Sequence, residues 1–245
     1  CDNGTPQACD TAILDITVSP KPGDANSVIA NNDEYYTYGT PVTSNILTND
    51  ADPQGDGFEV NEYTYDSNGD GIPDATGTLG TAVVVSGVDE KGNPVTNAGS
   101  LTLNANGSFV FTPSNGFAGK VYLDYEIEDD ATTPAQDKAK VIITVFKDQN
   151  GLANDPPFAG DDFSYTKVNT PVDGNFVNND SDPNNNPISI KNAAGNPITI
   201  VPGGSSTVIK TIPTEKGGTV VIKADGTYTY TPPTGYVGPD KAVYE

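Results

Sequence analysis

The nine residues Asp66-Ser-Asn-Gly-Asp-Gly-Ile-Pro-Asp74 carry oxygen side chains at relative positions 1, 3, 5 and 9, with Gly71 at position 6. This spacing turns alternate side chains inward on one centre, and glycine at the sixth place permits the sharp bend. The chemistry it offers is hard-oxygen coordination of Ca2+. Asp66, Asn68, Asp70 and Asp74 supply side-chain ligands, and Ile72 supplies its carbonyl oxygen. A bidentate Glu that would complete the loop is missing, because position 12 is Gly77. Without an ion the segment is a hydrophilic turn whose acidic groups repel one another. The spacing therefore predicts calcium.

A second acidic constellation occurs twice, as Asn49-Asp50-Ala-Asp52-Pro-Gln-Gly-Asp56 and as Asn179-Asp180-Ser-Asp182-Pro-Asn-Asn-Asn186. Asp33 in one copy and Asp161-Asp162 in the other lie near the start of each module, and Asp129-Asp130 can join from the same end. These residues are second-tier candidates for cation sites at domain junctions. The equal alternative is that Asn-Asp-x-Asp-Pro is a turn capped by its own side chains.

Other chemistry is scarce. The chain has no His, which removes Ser-His-Asp and Cys-His catalysis and His-based zinc sites. Carboxylate pairs could serve glycoside cleavage, but here they sit in repeated acidic turns, so no enzyme is expected. The 33 acidic against 12 basic residues give a net charge of −21, which repels nucleic acid and anionic membranes and attracts cations. No apolar run approaches the roughly 20 residues that span a bilayer, so no membrane insertion is expected in this segment.

Cys1 and Cys9 flank a turn-rich stretch, and two strands joined by such a loop bring flanking residues opposite each other. A Cys1–Cys9 staple is expected. In the chain-entropy model so small a loop contributes roughly 2.5 kcal/mol, and the bond implies an oxidising, extracytoplasmic setting. A lipid-modified Cys1 and a catalytic thiol are the rival readings. The first conflicts with the mid-module position of Cys1, and the second lacks an activating His.

These residues must be positioned by elements that occur twice. Ala30 to Pro53 recurs as Ala159 to Pro183, and Gly99–Glu126 matches Gly218–Glu245 without a gap. Residues 1–18 align with 128–145 at a constant offset of 127. The chain reads as a window on a longer tandem array. Residues 1–18 are the closing hairpin of a preceding repeat, 19–27 a linker, 28–147 a full repeat and 148–157 a second linker. Residues 158–245 form a repeat lacking its last strand, which a neighbouring copy is expected to donate. The first copy is longer between Pro53 and Gly99, and the Asp66–Asp74 loop accounts for the surplus.

Short β-branched and aromatic runs, such as Ser108-Phe-Val-Phe-Thr112 and Thr227-Tyr-Thr-Tyr-Thr231, alternate with period two between Gly, Pro and Asn. Asn106-Gly107 and Asp225-Gly226 are hairpin turns. Nothing sustains a helical period. The fold class is all-β: tandem immunoglobulin- or cadherin-like antiparallel sandwiches, strung end to end by Pro-containing linkers. The aromatics Phe109, Phe111, Phe117, Tyr122 and Tyr125, with Tyr228, Tyr230, Tyr236 and Tyr244 in the other copy, are expected in the cores rather than on a sugar-stacking platform.

The set Asn49-Asp50, Asn106-Gly107, Thr112-Pro113 and Gly116-Phe117, with equivalents Asn179-Asp180, Asp225-Gly226, Thr231-Pro232 and Gly235-Tyr236, resembles the bacterial cadherin-like (tandem-95) repeat of very large surface adhesins. Residues 66–74 resemble the Asp-rich calcium repeats of thrombospondin type 3. The cysteine hairpin is similar to repeats of Bacteroidetes proteins exported by the type IX route, the giant gliding-motility adhesins among them. The first full repeat departs by lacking both cysteines. The resemblance implies a secreted extender on a Gram-negative cell surface, stiffened by Ca2+, whose partners are neighbouring repeats and, through other domains, surface polysaccharide. A polysaccharide-binding module and a spacer in a secreted enzyme are the alternatives.

Overall fold

The computed structural model describes residues 1–19, 25–147, 154, 156–182, 184 and 186–245. Residues 20–24 of the first expected linker, and 148–153 with 155 of the second, lie outside the described residues, as do Pro183 and Asn185 of the second acidic turn. The chain divides into two compact units. One is continuous, Asp24–Asp148; the other is split, Cys1–Gly23 with Gln149–Glu245.

The split unit contains β1 (Ala12–Ser19), and the continuous unit runs through β2 (Asp33–Thr37), β3 (Val42–Asn45), β4 (Phe58–Tyr65), β5 (Ala75–Thr76), β6 (Val83–Asp89), β7 (Pro94–Leu103), β8 (Ser108–Pro113), β9 (Gly119–Asp129) and β10 (Gln136–Val145). The rest of the split unit is β11 (Asp162–Lys167), β12 (Val172–Asn175), β13 (Ser189–Lys191), β14 (Pro197–Thr199), β15 (Val208–Pro213), β16 (Thr219–Lys223), β17 (Thr227–Thr231) and β18 (Gly238–Tyr244). Among the described residues, helix is confined to single 3-10 turns at Ile46–Thr48 and Phe176–Asn178, each capped by the preceding Asn side chain.

In the continuous unit β2, β10, β9 and β4 form one face, and β3, β8, β7 and β6 the other. They join where Val88–Asp89 pairs with Lys120–Gly119. Period-two patterning does the rest: Val121, Leu123, Tyr125 and Ile127 of β9 point into a core shared with Leu101, Phe109 and Phe111 from the other face. The split unit repeats the plan, with β11-β1-β18 against β12-β17-β16-β15. Leu14, Ile16 and Val18 of β1 pack there with Phe176, Val220, Tyr228 and Tyr230.

One expectation needs correcting. Residues 1–18 do not stand apart as the remnant of another repeat; they supply the last strand that residues 158–245 lack. β1 lies between β18, antiparallel (Ala12 opposite Tyr244, Val18 opposite Gly238), and β11, parallel (Leu14 opposite Asp162, Ser19 opposite Lys167). β10 has the same antiparallel and parallel neighbours in the continuous unit, β9 and β2. The donor of the missing strand is the chain's own beginning, because the four inward apolar side chains of β1 match the slot as those of β10 match theirs.

The staple is present, with Cys1 and Cys9 bonded. At the equivalent positions of the continuous unit the Gln136 amide donates to the Glu128 carboxylate, so a hydrogen bond stands where the other unit has a covalent one.

Candidate functional site

The Asp66–Asp74 loop connects β4 to β5 and is organised by its first residue. Asp66 is 0 % exposed, and its carboxylate accepts N–H groups of Asn68 (3.1 Å), Gly69 (2.5 Å) and Gly71 (2.8 Å). Wrapping three amides around one carboxylate demands left-handed backbone, and Gly69 and Gly71 supply it at φ of 87° and 82°. The other acids face outward. Asp74 accepts the Ser67 N–H (2.8 Å), which together with the Ser67 side chain holds its carboxyl below the usual range. Asp70 accepts the Ile72 N–H (2.9 Å), and the Ile72 side chain is exposed.

Between Asp70 and Asp74 sits the Asn68 amide. Its nitrogen lies 3.3 Å from Asp70 Oδ2 and 2.9 Å from Asp74 Oδ2, while its oxygen accepts the Asp70 N–H at 2.8 Å. A donor bridging two carboxylates occupies the place that suits positive charge, so the residue types fit a hard divalent cation. The fit requires the Asn68 side chain to reorient. Among the described residues, the one set of three carboxylate or sulfur ligands within 4.8 Å of one another is Cys1, Cys9 and Glu245. There the disulfide already takes both sulfurs, and the Asp66, Asp70 and Asp74 carboxylates stand further apart.

The second-tier residues divide into two groups. Asp33 and Asp50 converge inside the continuous unit on one hydroxyl. Tyr125 Oη is 3.0 Å from Asp33 Oδ2, 3.2 and 3.1 Å from the two Asp50 oxygens, and 2.8 Å from the Asn31 carbonyl. Asp162 and Asp180 do the same in the split unit, where Tyr244 Oη is 2.7 Å from Asp162 and 3.3 Å from Asp180 Oδ2. Asp161 is not part of this cluster; it accepts the Ile13 N–H of β1 at 2.8 Å. One hydroxyl proton serves one acceptor at a time, so the remaining contacts are favourable only when a carboxyl carries its own proton. Burial, with the neighbouring Asp50 charge, pushes Asp33 well above the ordinary carboxyl range. Burial likewise pushes Asp50 and Asp180 up to about 7 and Asp162 up to about 8.

Asp52 and Asp56 form a separate pole with Asp129 and Asp130. Asp52 Oδ1 accepts the N–H groups of Gln54, Gly55 and Asp56 at 2.7, 2.5 and 3.0 Å. Asp52 Oδ2 and Asn49 Oδ1 are buried without a hydrogen-bond partner, as are Asp182 Oδ2 and Asn179 Oδ1 in the split unit. The Asp56 carboxyl is pushed up by desolvation and then by the charges of Asp52, Asp130 and Asp129. In the split unit the sequence places Asn186 for Asp56, Asp2 for Asp129 and Asn3 for Asp130. There Asn186 donates to Asn154 (2.8 Å), and Asn154 donates to Asp2 (2.6 Å).

The hydroxyls of Tyr125 and Tyr244 are what the sequence reading missed, having placed both rings in the core for their apolar area. A signal was there. Phe109, Phe111 and Phe117 become Tyr228, Tyr230 and Tyr236 in the second copy, whereas Tyr125 and Tyr244 are tyrosine in both.

Residues 154–245 match the family model described as bacterial Ig domain, and residues 80–145 that described as cadherin-like domain. The two units are therefore all-β, Ig/cadherin-like repeats, domains that point to a structural repeat of a surface protein. No curated protein matches the chain. Among solved structures, a nucleoside hydrolase-related hypothetical protein from Saccharophagus degradans, associated with carbohydrate metabolism, is 13% identical. The match covers 50% of this chain and 26% of that one, at a TM-score of 0.30, too low to bear on fold or function.

Proposed function

We propose that the chain is an extender segment of a secreted, calcium-stiffened cell-surface adhesin, of the kind used in surface adhesion and gliding, and that it performs no catalysis. The observation that carries this reading is the fate of the aromatic rings. Phe109, Phe111, Tyr125, Tyr228, Tyr230 and Tyr244 are at most 3 % exposed. A polysaccharide platform needs rings open to stack on sugar, and these fill the two cores instead. Tyr122 and Tyr236, expected in the cores with them, are only partly buried, and the surface mixes acidic turns and polar strand edges with single exposed valines such as Val84 and Val243; the acidic turns suit solubility and cation binding.

Calcium would be held by Asp66, Asn68, Asp70, Asp74 and the Ile72 carbonyl, cross-linking a loop that otherwise depends on the Asn68 bridge. The pole of Asp52 and Asp56 with Asp129 and Asp130 is the next site in charge density. In this reading Asp33, Asp50, Asp162 and Asp180 hold a proton with their tyrosines rather than a metal. The compartment is extracellular, in line with the Cys1–Cys9 bond.

Thermal unfolding and small-angle scattering with Ca2+ or with EGTA test the reading. Calcium should raise the melting temperature and narrow the distribution of shapes. An unchanged melting temperature and scattering profile in EGTA sinks the calcium-stiffened extender, and saturable binding on a glycan array favours the polysaccharide module.

A further inference from the structure

We propose that the fold singles out Asn115 for spontaneous covalent modification, deamidation through a succinimide formed with Gly116, and shields the other Asn-Gly pairs it positions. Asn is among the heat-labile side chains. The reaction needs the carboxamide carbon within reach of the next backbone nitrogen, that N–H free to lose its proton, and no side chain in the way. Asn-Gly pairs occur at Asn3, Asn68, Asn106, Asn115 and Asn150. The last lies outside the described residues, and hydrogen bonding separates the other four.

Three are held at the glycine that would attack. The Gly4 N–H donates to Asp2 Oδ1 at 3.0 Å, and the Gly69 N–H to Asp66 Oδ1 at 2.5 Å. Bonds to a carboxylate are the stronger kind, and they oppose the proton loss that attack requires. The Gly107 N–H donates to the Asn104 carbonyl at 3.0 Å. Asn106 Oδ1 is itself tied to Ser108, by its N–H at 3.1 Å and its hydroxyl at 2.6 Å. Gly69 and Gly107 are also buried.

Asn115 and Gly116 are the central residues of the turn between β8 and β9, closed by the Phe117 N–H on the Ser114 carbonyl at 3.0 Å. Both are exposed, and even a side chain at Gly116 would meet nothing within 4 Å. Among the described residues, neither the Asn115 carboxamide nor the Gly116 N–H has a hydrogen-bond partner. The split unit has Thr234-Gly235 at this turn, so it lacks the amide, and its Gly235 N–H donates to Asn169 Oδ1 at 2.7 Å. Gly39 stands where Asn169 does and has no side chain to offer.

The step balances with solvent alone. The Gly116 nitrogen gives its proton to hydroxide and bonds to Asn115 Cγ, and the Cγ–Nδ2 bond breaks to release ammonia. Water then opens the succinimide at either carbonyl, leaving Asp or isoaspartate at position 115. One negative charge is added. Isoaspartate also puts an extra CH2 into the backbone of the turn that seats the buried Phe117.

The test is ageing of the native chain in mildly alkaline buffer made with heavy-oxygen water, followed by digestion and mass spectrometry. Each conversion takes up one heavy oxygen, which marks it apart from Asp already in the chain. Asn115 should convert first, about tenfold or more faster than Asn3, Asn68 and Asn106, because their N–H groups must first be freed from a hydrogen bond. A parallel sample is aged in guanidinium chloride, where those bonds are gone and Asn68 and Asn106 should catch up with Asn115. Circular dichroism establishes that the first sample is folded and the second is not. An Asn115 that converts no faster than Asn68 and Asn106 in the folded chain overturns the proposal. An advantage that persists undiminished in guanidinium chloride overturns it as well, since local sequence and not the fold would then select the site.

Discussion

Replacing Asp33 and Asp162 together by Asn should reduce the protein's loss of stability between pH 6 and pH 8. Each unit buries two carboxyls against one tyrosine hydroxyl, at 3.0 Å for Asp33 and 2.7 Å for Asp162. The folded chain therefore keeps a proton that the unfolded chain releases near pH 4. A carboxyl whose folded pKa is raised contributes stability that is full below the unfolded pKa and is lost as pH rises through the folded one. With Asp50 and Asp180 at about 7 and Asp162 at about 8, the loss runs from near pH 4 up to about pH 8, and the fall read above pH 6 is its upper part. At 1.36 kcal/mol per pH unit, one to two units of proton retention per site amount to about 1.5–3 kcal/mol. For a domain of this size that is a fall in Tm of about 5–10 °C. Carboxyls held low, such as Asp225 at about 2 through the Thr227 and Ser206 hydroxyls, act with the opposite sign and only as pH falls below about 4. They leave this window clear. The assay is calorimetry or circular dichroism melting in EDTA from pH 6 to pH 9, native against the double variant. A native Tm that is flat or rises across the window would falsify proton sharing, and so would a double variant with the native slope.

Asp66→Ala leaves three loop N–H groups without their acceptor; it should cost about 2–4 kcal/mol in EGTA, read by chemical denaturation. Asp70→Ala with Asp74→Ala changes exposed groups only. By removing the Asn68 bridge it should lower stability in EGTA by about 1 kcal/mol while abolishing the Ca2+-induced rise in Tm, and a retained rise would place the ion elsewhere. Asp56→Asn with Asp130→Asn copies the amides of the split unit into the continuous one. Melting in EGTA should rise and the calcium response shrink, and a lower Tm in EGTA contradicts the charge-repulsion account. Leu14→Ala empties a fully buried site in β1 and should cost about 3–5 kcal/mol. Hydrogen exchange should show the loss in β11 and β18, leaving β9 and β10 protected; equal loss in both units would contradict separate cores.

Strand identity was legible because burial in a sandwich alternates with the side chains. β9 alternates buried and partly exposed positions along its whole length, and runs such as Val121 to Ile127 display that in their composition. The duplication was legible for the same reason, since both copies solve one packing problem. The way the split unit is completed was not legible. An offset of 127 states that residues 1–18 are equivalent to 128–145, but equivalence says only which kind of slot the strand fits. Whose slot it fills depends on tether length and on the core left open by β11 and β18, neither of which is a property of β1 itself.

The acidic positions were legible as a set and not as separate sites, because carboxylates in turns look alike in sequence while their neighbours decide what they do. Asp33 and Asp50 meet a hydroxyl that can share a proton, so their charge is relieved internally. Asp52 and Asp56 meet Asp129 and Asp130, and a carboxylate has no hydrogen to offer another. The split unit shows what relief without an ion looks like: with Asn at positions 186 and 3, the Asn186 amide can donate to Asn154, and Asn154 donates onward to Asp2. The continuous unit has an equivalent of that last contact, Asn26 to Asp129 at 2.8 Å, but Asp56 cannot begin the chain. Four carboxylates then share a pole whose remaining counter-charge must come from solution. On the proposed reading a hard cation supplies it, so the unit carrying both this pole and the Asp66–Asp74 loop should respond to calcium more strongly than the other.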